Sequence, residues 1–337
     1  GVNIAGPVVT LGDGVDLGVG GLLTVGQVHT AGYRDSTVTD ASLTLHGGSA
    51  SLEGGLALGL ARTDHAGDSV VSADLSLEET TFSGGGAWTI GEAVASVGSH
   101  RDAMVSSAEA RILGDATSNA DLSSVTVGHA QAHGDGQAQT TASLTYRGGT
   151  FQSAAGLDIG WAEADYKGAV AQAIGSATFR NASISTPSLR IGRYSGSGAE
   201  DASGFAQGSL VLVDSTLTTT GDVEVARLTG GVGSATGQLS LTRSILEVGG
   251  DLLLGDGSDL QFDIDGFVRG VGYGAIDAGT AQLDGSVSVA FSFAPTGSNY
   301  WDLIKLDAGS TFASDFDSVE VLGLSSGTAW SLGFATD

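Results

Sequence analysis

The sequence predicts an all-β chain wound as a parallel β-solenoid. Three observations predict it: an internal repeat of about 33 residues, apolar residues two apart inside each copy, and a glycine content that brings neither proline nor a fibrous triplet. Of 337 residues 55 are glycine, 3 proline and none cysteine, while 41% are hydrophobic. A disordered chain has too little apolar surface to offset its conformational entropy, and this one has enough. The chain therefore folds.

The repeat is clearest in "SLTYRGGTFQSAAGLDIGWA" (143 to 162), and it returns in "SLTLHGGSASLEGGLALGLA" (42 to 61), "DLSLEETTFSGGGAWTIGEA" (74 to 93), "SLVLVDSTLTTTGDVEVAR" (209 to 227) and "QLSLTRSILEVGGDLLLGDG" (238 to 257). Its last apolar residue recurs at Val25, Leu58, Ile90, Val127, Ile159, Ile191, Val225 and Leu254, in steps of 29 to 37 residues. Pairs such as Leu157/Ile159 and Val223/Val225 have the period of one strand face and not of a helix. With each copy as one of about eight rungs, equivalent residues stack about 4.8 Å apart. The expected interior columns are Leu45, Leu77, Tyr146, Phe179, Leu212 and Leu241, then Ala50, Phe82, Phe151, Ile184, Leu217 and Leu246, then the series through Leu56 and Leu58. A propeller would need four hairpin-linked strands in every unit, whereas only part of each unit here is strongly patterned.

The rest of each unit is rich in small residues, as in "WAEADYKGAVAQAIGSA" (161 to 177). Ala, Ser and Gly alternating around a turn predict close-packed arms that flatten or extend the rung. After Leu254 the period changes. Residues 1–255 are accordingly expected to form the solenoid, and 256–337 a β-rich C-terminal region that closes the coil.

That region carries Leu252 to Leu254, Ser258, Leu260, Phe262, Ile264, Gly266, Tyr273, Ile276, Gly279, Leu283, Gly285, Val287 and Val289. This ordered series resembles the C-terminal part of bacterial autotransporter passengers and PEP-CTERM-type exported proteins, although Gly274 and Ala275 stand where an Asp usually follows the Tyr. The resemblance implies a right-handed parallel β-helix displayed outside the cell, in agreement with the handedness of parallel crossovers.

Thirteen Lys and Arg against 38 Asp and Glu give a formal charge of -25, which repels nucleic acid and anionic lipid. No apolar run approaches the roughly 20 residues of a membrane helix, and a start at Gly1 without Met is expected of a processed product. The absence of cysteine fits a secreted bacterial protein.

Chemistry-bearing residues are few. Asp256, Asp259, Asp263 and Asp265 could supply oxygen ligands to calcium, the one cofactor the chain hints at, while their alternation with Phe262 and Ile264 equally describes a solvated strand face. His129 and His133 share a face only if the strand between them stays extended, and two ligands make a poor zinc site. Trp161, Tyr166 and Tyr194 on the arms are candidates for stacking on sugar rings. Arg147 and Arg180, one repeat apart, read as charge balance, and no Ser, His and Asp order suggests a triad.

The expectation is a noncatalytic, structural or adhesive protein of a bacterial cell surface. Its partners would be further copies of itself, stacked end to end, or other surface proteins, with no nucleic acid and no membrane insertion. The alternative is a polysaccharide-binding or polysaccharide-degrading protein on the same scaffold.

Overall fold

A computed structural model describes residues 2–4, 8–12, 15–30, 37–64, 68–96, 102–197, 202–308, 310, 312–325 and 328–333. Within them the chain is all β, with 28 strands, no helix and every strand pairing parallel. It is a β-solenoid of about nine turns, one more than the repeat count suggested.

One turn shows how residues place the elements. The long strand Val170–Arg180 leads to the short strand Ser183–Thr186 and then to a third, Leu189–Gly196. Each rests on its counterpart one turn earlier, so Phe179 lies beside Tyr146, Ile184 beside Phe151 and Ile191 beside Ile159. Asn181 turns the first corner at φ 50, and Glu79, Gly148, Asp214 and Arg243 take the same left-handed conformation at that corner of other rungs.

The predicted columns exist. Val25, Leu58, Ile90, Val127, Ile159, Ile191, Val225 and Leu254 pair in unbroken succession, each at most 2% exposed. In the Leu45 column the expectation omitted Ile112, which pairs with both Leu77 and Tyr146. The Phe82 column slips by two residues, so Ala120 pairs with Gly84 below and Phe151 above. The room left by Ala120 lets Trp88 reach across the turn. Its ring meets Phe82 at 5.6 Å and Phe151 at 6.1 Å, both edge to face. Edge-to-face pairing suits the ring quadrupole and adds to the burial of apolar area.

The small-residue arms form a second lobe. The outgoing strand Leu157–Asp165 folds back at Tyr166, φ 74, and Gly168, φ 86, into Val170–Arg180. Ala130, Ala132, Ala162 and Ala164 on one sheet face Ala138, Ala171 and Ala173 on the other, all buried. A waist separates this alanine lobe from the main one. At Gly26, Gly59, Gly91, Gly128, Gly160 and Gly192 the φ lies between 66° and 76°, which glycine adopts at little cost. These bulges add one residue and reverse the alternation, so that Leu157 and Ile159 face inward before Gly160 and Ala162 and Ala164 after it.

Beyond residue 255 the parallel pairing continues. Ser258–Ile264, Ser286–Phe291 and Ser318–Leu322 extend the long-strand column. What changes is the outline, because the turn Gly255–Gly257 replaces the alanine lobe and Leu241 pairs with Phe262 only 21 residues on. The rung shortens, and this is why the sequence period changes there without the coil closing at 256. Phe267, Phe291, Phe293 and Trp301 pack together on its flank, and the Trp301 indole donates to the Gly266 carbonyl at 2.9 Å.

Candidate functional site

Outward-facing residues stack by the same register as inward ones. Two residues beyond the Val127 column, one outward column runs Glu92, His129, Trp161, Arg193 and Arg227 on successive strands. It brings a histidine, a tryptophan, two arginines and a glutamate into one outward stripe.

His129 stacks on Trp161 with ring centroids 4.5 Å apart and 26° between planes, and the Arg193 guanidinium lies 5.3 Å from the other side of the same indole system. The histidine side chain is only 12% exposed. Its Nδ1 is 3.4 Å from Glu92 Oε1, and its Nε2 lies 3.8 Å from Glu163 Oε2. Burial lowers the His129 pKa, but the facing carboxylates of Glu163 and Glu92 outweigh it and hold the value up at about 9. Through their interaction with His129 both Glu92 and Glu163 are held below the ordinary glutamate range. At neutral pH the column therefore carries an imidazolium between two carboxylates. Burial raises Asp158 nearby, opposed by Arg190, whose Nε is 3.2 Å away.

His129 is held by its carboxylates at ion-pair distance, while the buried Trp161 Nε1 has no hydrogen-bond partner among the described residues. The imidazolium is already protonated, hence no general base at neutral pH, and cations cover the indole from both sides. Trp161 therefore offers no open ring face to a sugar. Tyr194 is a clearer correction. Expected on an exposed arm, it is fully buried in the alanine lobe, with its ring close against Gly204 and Gly233. The bulge at Gly192 reverses the alternation and turns Tyr194 inward. Tyr166 stays 65% exposed at its turn.

His133 bonds Asp165, and Gln131 between the two histidines donates to Glu163 at 3.1 Å. The histidines do share a face, each engaged by different carboxylates.

The four candidate calcium ligands are dispersed. Asp259 accepts from Gln238 and Ser286, Asp263 from Thr242, and Asp265 from Arg243 at 2.6 Å. Asp256 sits in the turn beside Asp284, whose pKa is raised by burial and by the Asp256 carboxyl. Among the described residues no group of three or more His, Asp or Glu side chains is arranged to hold a metal ion.

One feature of the short-strand face escaped the sequence reading. Thr218, Glu247 and Asp277 pair in succession, and with Asp307 they line an open groove of about 270 Å³. Thr218 donates to Glu247 at 2.9 Å, and Arg269 Nη1 holds Asp277 at 2.7 Å. The carboxylates are about one repeat apart, but they straddle the point where the period changes, which hid the alignment.

Compared with known proteins, the chain matches no family model, no curated protein and no solved structure.

Proposed function

We propose that this chain is a noncatalytic structural or adhesive component of a bacterial cell surface, similar in kind to the exported β-helix proteins its C-terminal region resembles. One observation carries the reading: an interior column runs in register through the length of the described chain, from Leu11 through Leu77, Phe179 and Phe262 to Val321. Such a rod presents a long, rigid, acidic flank at low cost in loops. Copies stacking end to end would continue the columns, since strand edges at the ends of a solenoid are ready templates for pairing. Negative-stain microscopy at high concentration tests this: filaments or chains of rods are expected, and single rods alone would remove that part of the reading.

The groove lined by Glu247, Asp277 and Asp307 favours a second reading, polysaccharide binding or cleavage, because paired carboxylates are the groups that glycoside hydrolysis uses. A glycan array and a reducing-sugar assay, each with and without calcium, separate the two. The structural reading expects no turnover, and turnover lost in Asp277→Asn would replace it.

A further inference from the structure

The alanine lobe ends abruptly inside the chain. Its last layer is Arg227–Thr229 on one sheet and Val232–Ser234 on the other, joined by Gly230 and Gly231. Below, these residues pair with Arg193–Ser195 and Ser203–Phe205. Above, pairing resumes only at Val225 with Leu254 and at Gly237 with Ser258, because the Gly255–Gly257 turn cuts the lobe short. Two strand edges are thus left side by side on a ledge, beside the rungs of the main lobe that continue past them.

Natural proteins guard such edges with charge, proline or bulges. Apart from the exposed Arg227 at one end, this one is unguarded: in a chain of formal charge -25, residues 228–237 hold no charged residue and no proline. Leu228 is 50% and Val232 70% exposed. The opposite edge exposes Val38 to a similar degree, 75%, but flanks it with exposed Asp40 and a His29–Asp64 pair at 2.6 Å.

We infer that the ledge is an interaction surface for a second copy of this chain, paired edge to edge through 227–234. The occupant is fixed by the spacing of the two edges. Facing sheets ordinarily pack about 10 Å apart, but this lobe is lined largely by alanine, and its two edges are joined by only Gly230 and Gly231, both in the left-handed conformation. A single extended peptide would cover one edge only, and an ordinary sandwich would present its strands too far apart. The lobe of another copy presents two edges with the matching separation by construction. Translation along the rod cannot bring lobes together, since the main lobe outreaches the alanine lobe at both ends, with Ser258–Ile264, Ser286–Phe291 and Ser318–Leu322 above the ledge and Asp16–Val19 paired beneath Ser49–Leu52. A two-fold axis normal to the sheets can, pairing each edge antiparallel with its own copy and putting the main lobes at opposite ends. The contact is short and joins two acidic chains, so the dimer is weak and strengthens with salt. It does not depend on the surface-protein reading above.

Sedimentation of the full chain over a range of concentration and salt tests the inference. A monomer–dimer equilibrium is expected, and Val232→Lys/Ser234→Lys should raise its dissociation constant at least about tenfold, with an unchanged far-ultraviolet spectrum. Val38→Lys, on the opposite edge, should leave it unchanged. A monomer at every concentration, a dimer indifferent to the double lysine variant, or one broken by Val38→Lys would each overturn it. The first of these would leave the ledge to a foreign strand.

Discussion

Gly192 and Gly208 touch backbone to backbone across the waist: a methyl group on Gly208 would lie 2.2 Å from the Gly192 nitrogen. In this rung side chains are missing at the waist on both sheets, whereas in earlier rungs Gly26 meets Ala73 and Gly91 meets Ala142.

Gly208→Ala is expected to destabilise the fold by about 2–3 kcal/mol, since only backbone can yield to the added carbon. Gly192→Ala adds a left-handed φ of 68° to its clash and should be at least as costly. Gly18→Ala, where nothing lies within 4 Å, should change stability by less than about 1 kcal/mol. Chemical denaturation of the three variants checks the contrast, and equal losses in all three would contradict the waist.

Phe151 is the junction of the aromatic column, meeting Tyr146 at 5.1 Å, Phe179 at 4.9 Å and Trp88 at 6.1 Å. Phe151→Ala should cost about 3–5 kcal/mol, and Phe151→Leu clearly less. Because adjoining turns hold one another, hydrogen exchange should rise first in 119–122 and 183–186, the strands on either side of it.

The His129 cluster sets a pH dependence. Its folded pKa of about 9 exceeds the unfolded value near 6.5, so its contribution is complete below about pH 6.5 and is lost as pH rises through 9. The wild type should lose stability between pH 7 and 10, by on the order of 2 kcal/mol, and His129→Gln should lose most of that slope. A thermal melt series in pH checks this, and an equal slope in both proteins would remove His129 as its cause.

Calcium is not expected to act through the four aspartates. Asp259, Asp263 and Asp265 are engaged by different neighbours. Adding calcium and then a chelator should leave the melting temperature unchanged. A rise with calcium that disappears in Asp263→Asn would reinstate the site.

The sequence showed the columns because burial on one strand face imposes a period of two and stacking imposes the longer repeat. Ile112 was missed because the strand Asp102–Gly114 carries a register shift near Ser107, which offsets its copy. The waist was harder to see. Its glycines stand next to the last apolar residue in most rungs, yet their effect, an added residue that reverses the alternation, is conformational. For that reason Trp161 and Tyr194 looked alike and lie on opposite sides of a sheet. The stacked cluster was recoverable, since Glu92, His129, Trp161, Arg193 and Arg227 keep the spacing of the column through Val127. The groove of Glu247, Asp277 and Asp307 was less so, because rungs lacking the alanine lobe change the period where these residues lie.

In-register stacking of successive turns is tested most directly by spin labels, which a chain without native cysteine accepts cleanly. Gln152 and Ser185 both point outward and pair across neighbouring turns. Labels at Gln152→Cys and Ser185→Cys should give a strongly broadened, spin-exchanged spectrum in the folded chain, absent from either single variant. A sharp spectrum from the doubly labelled, folded protein would place those residues apart and contradict the solenoid register.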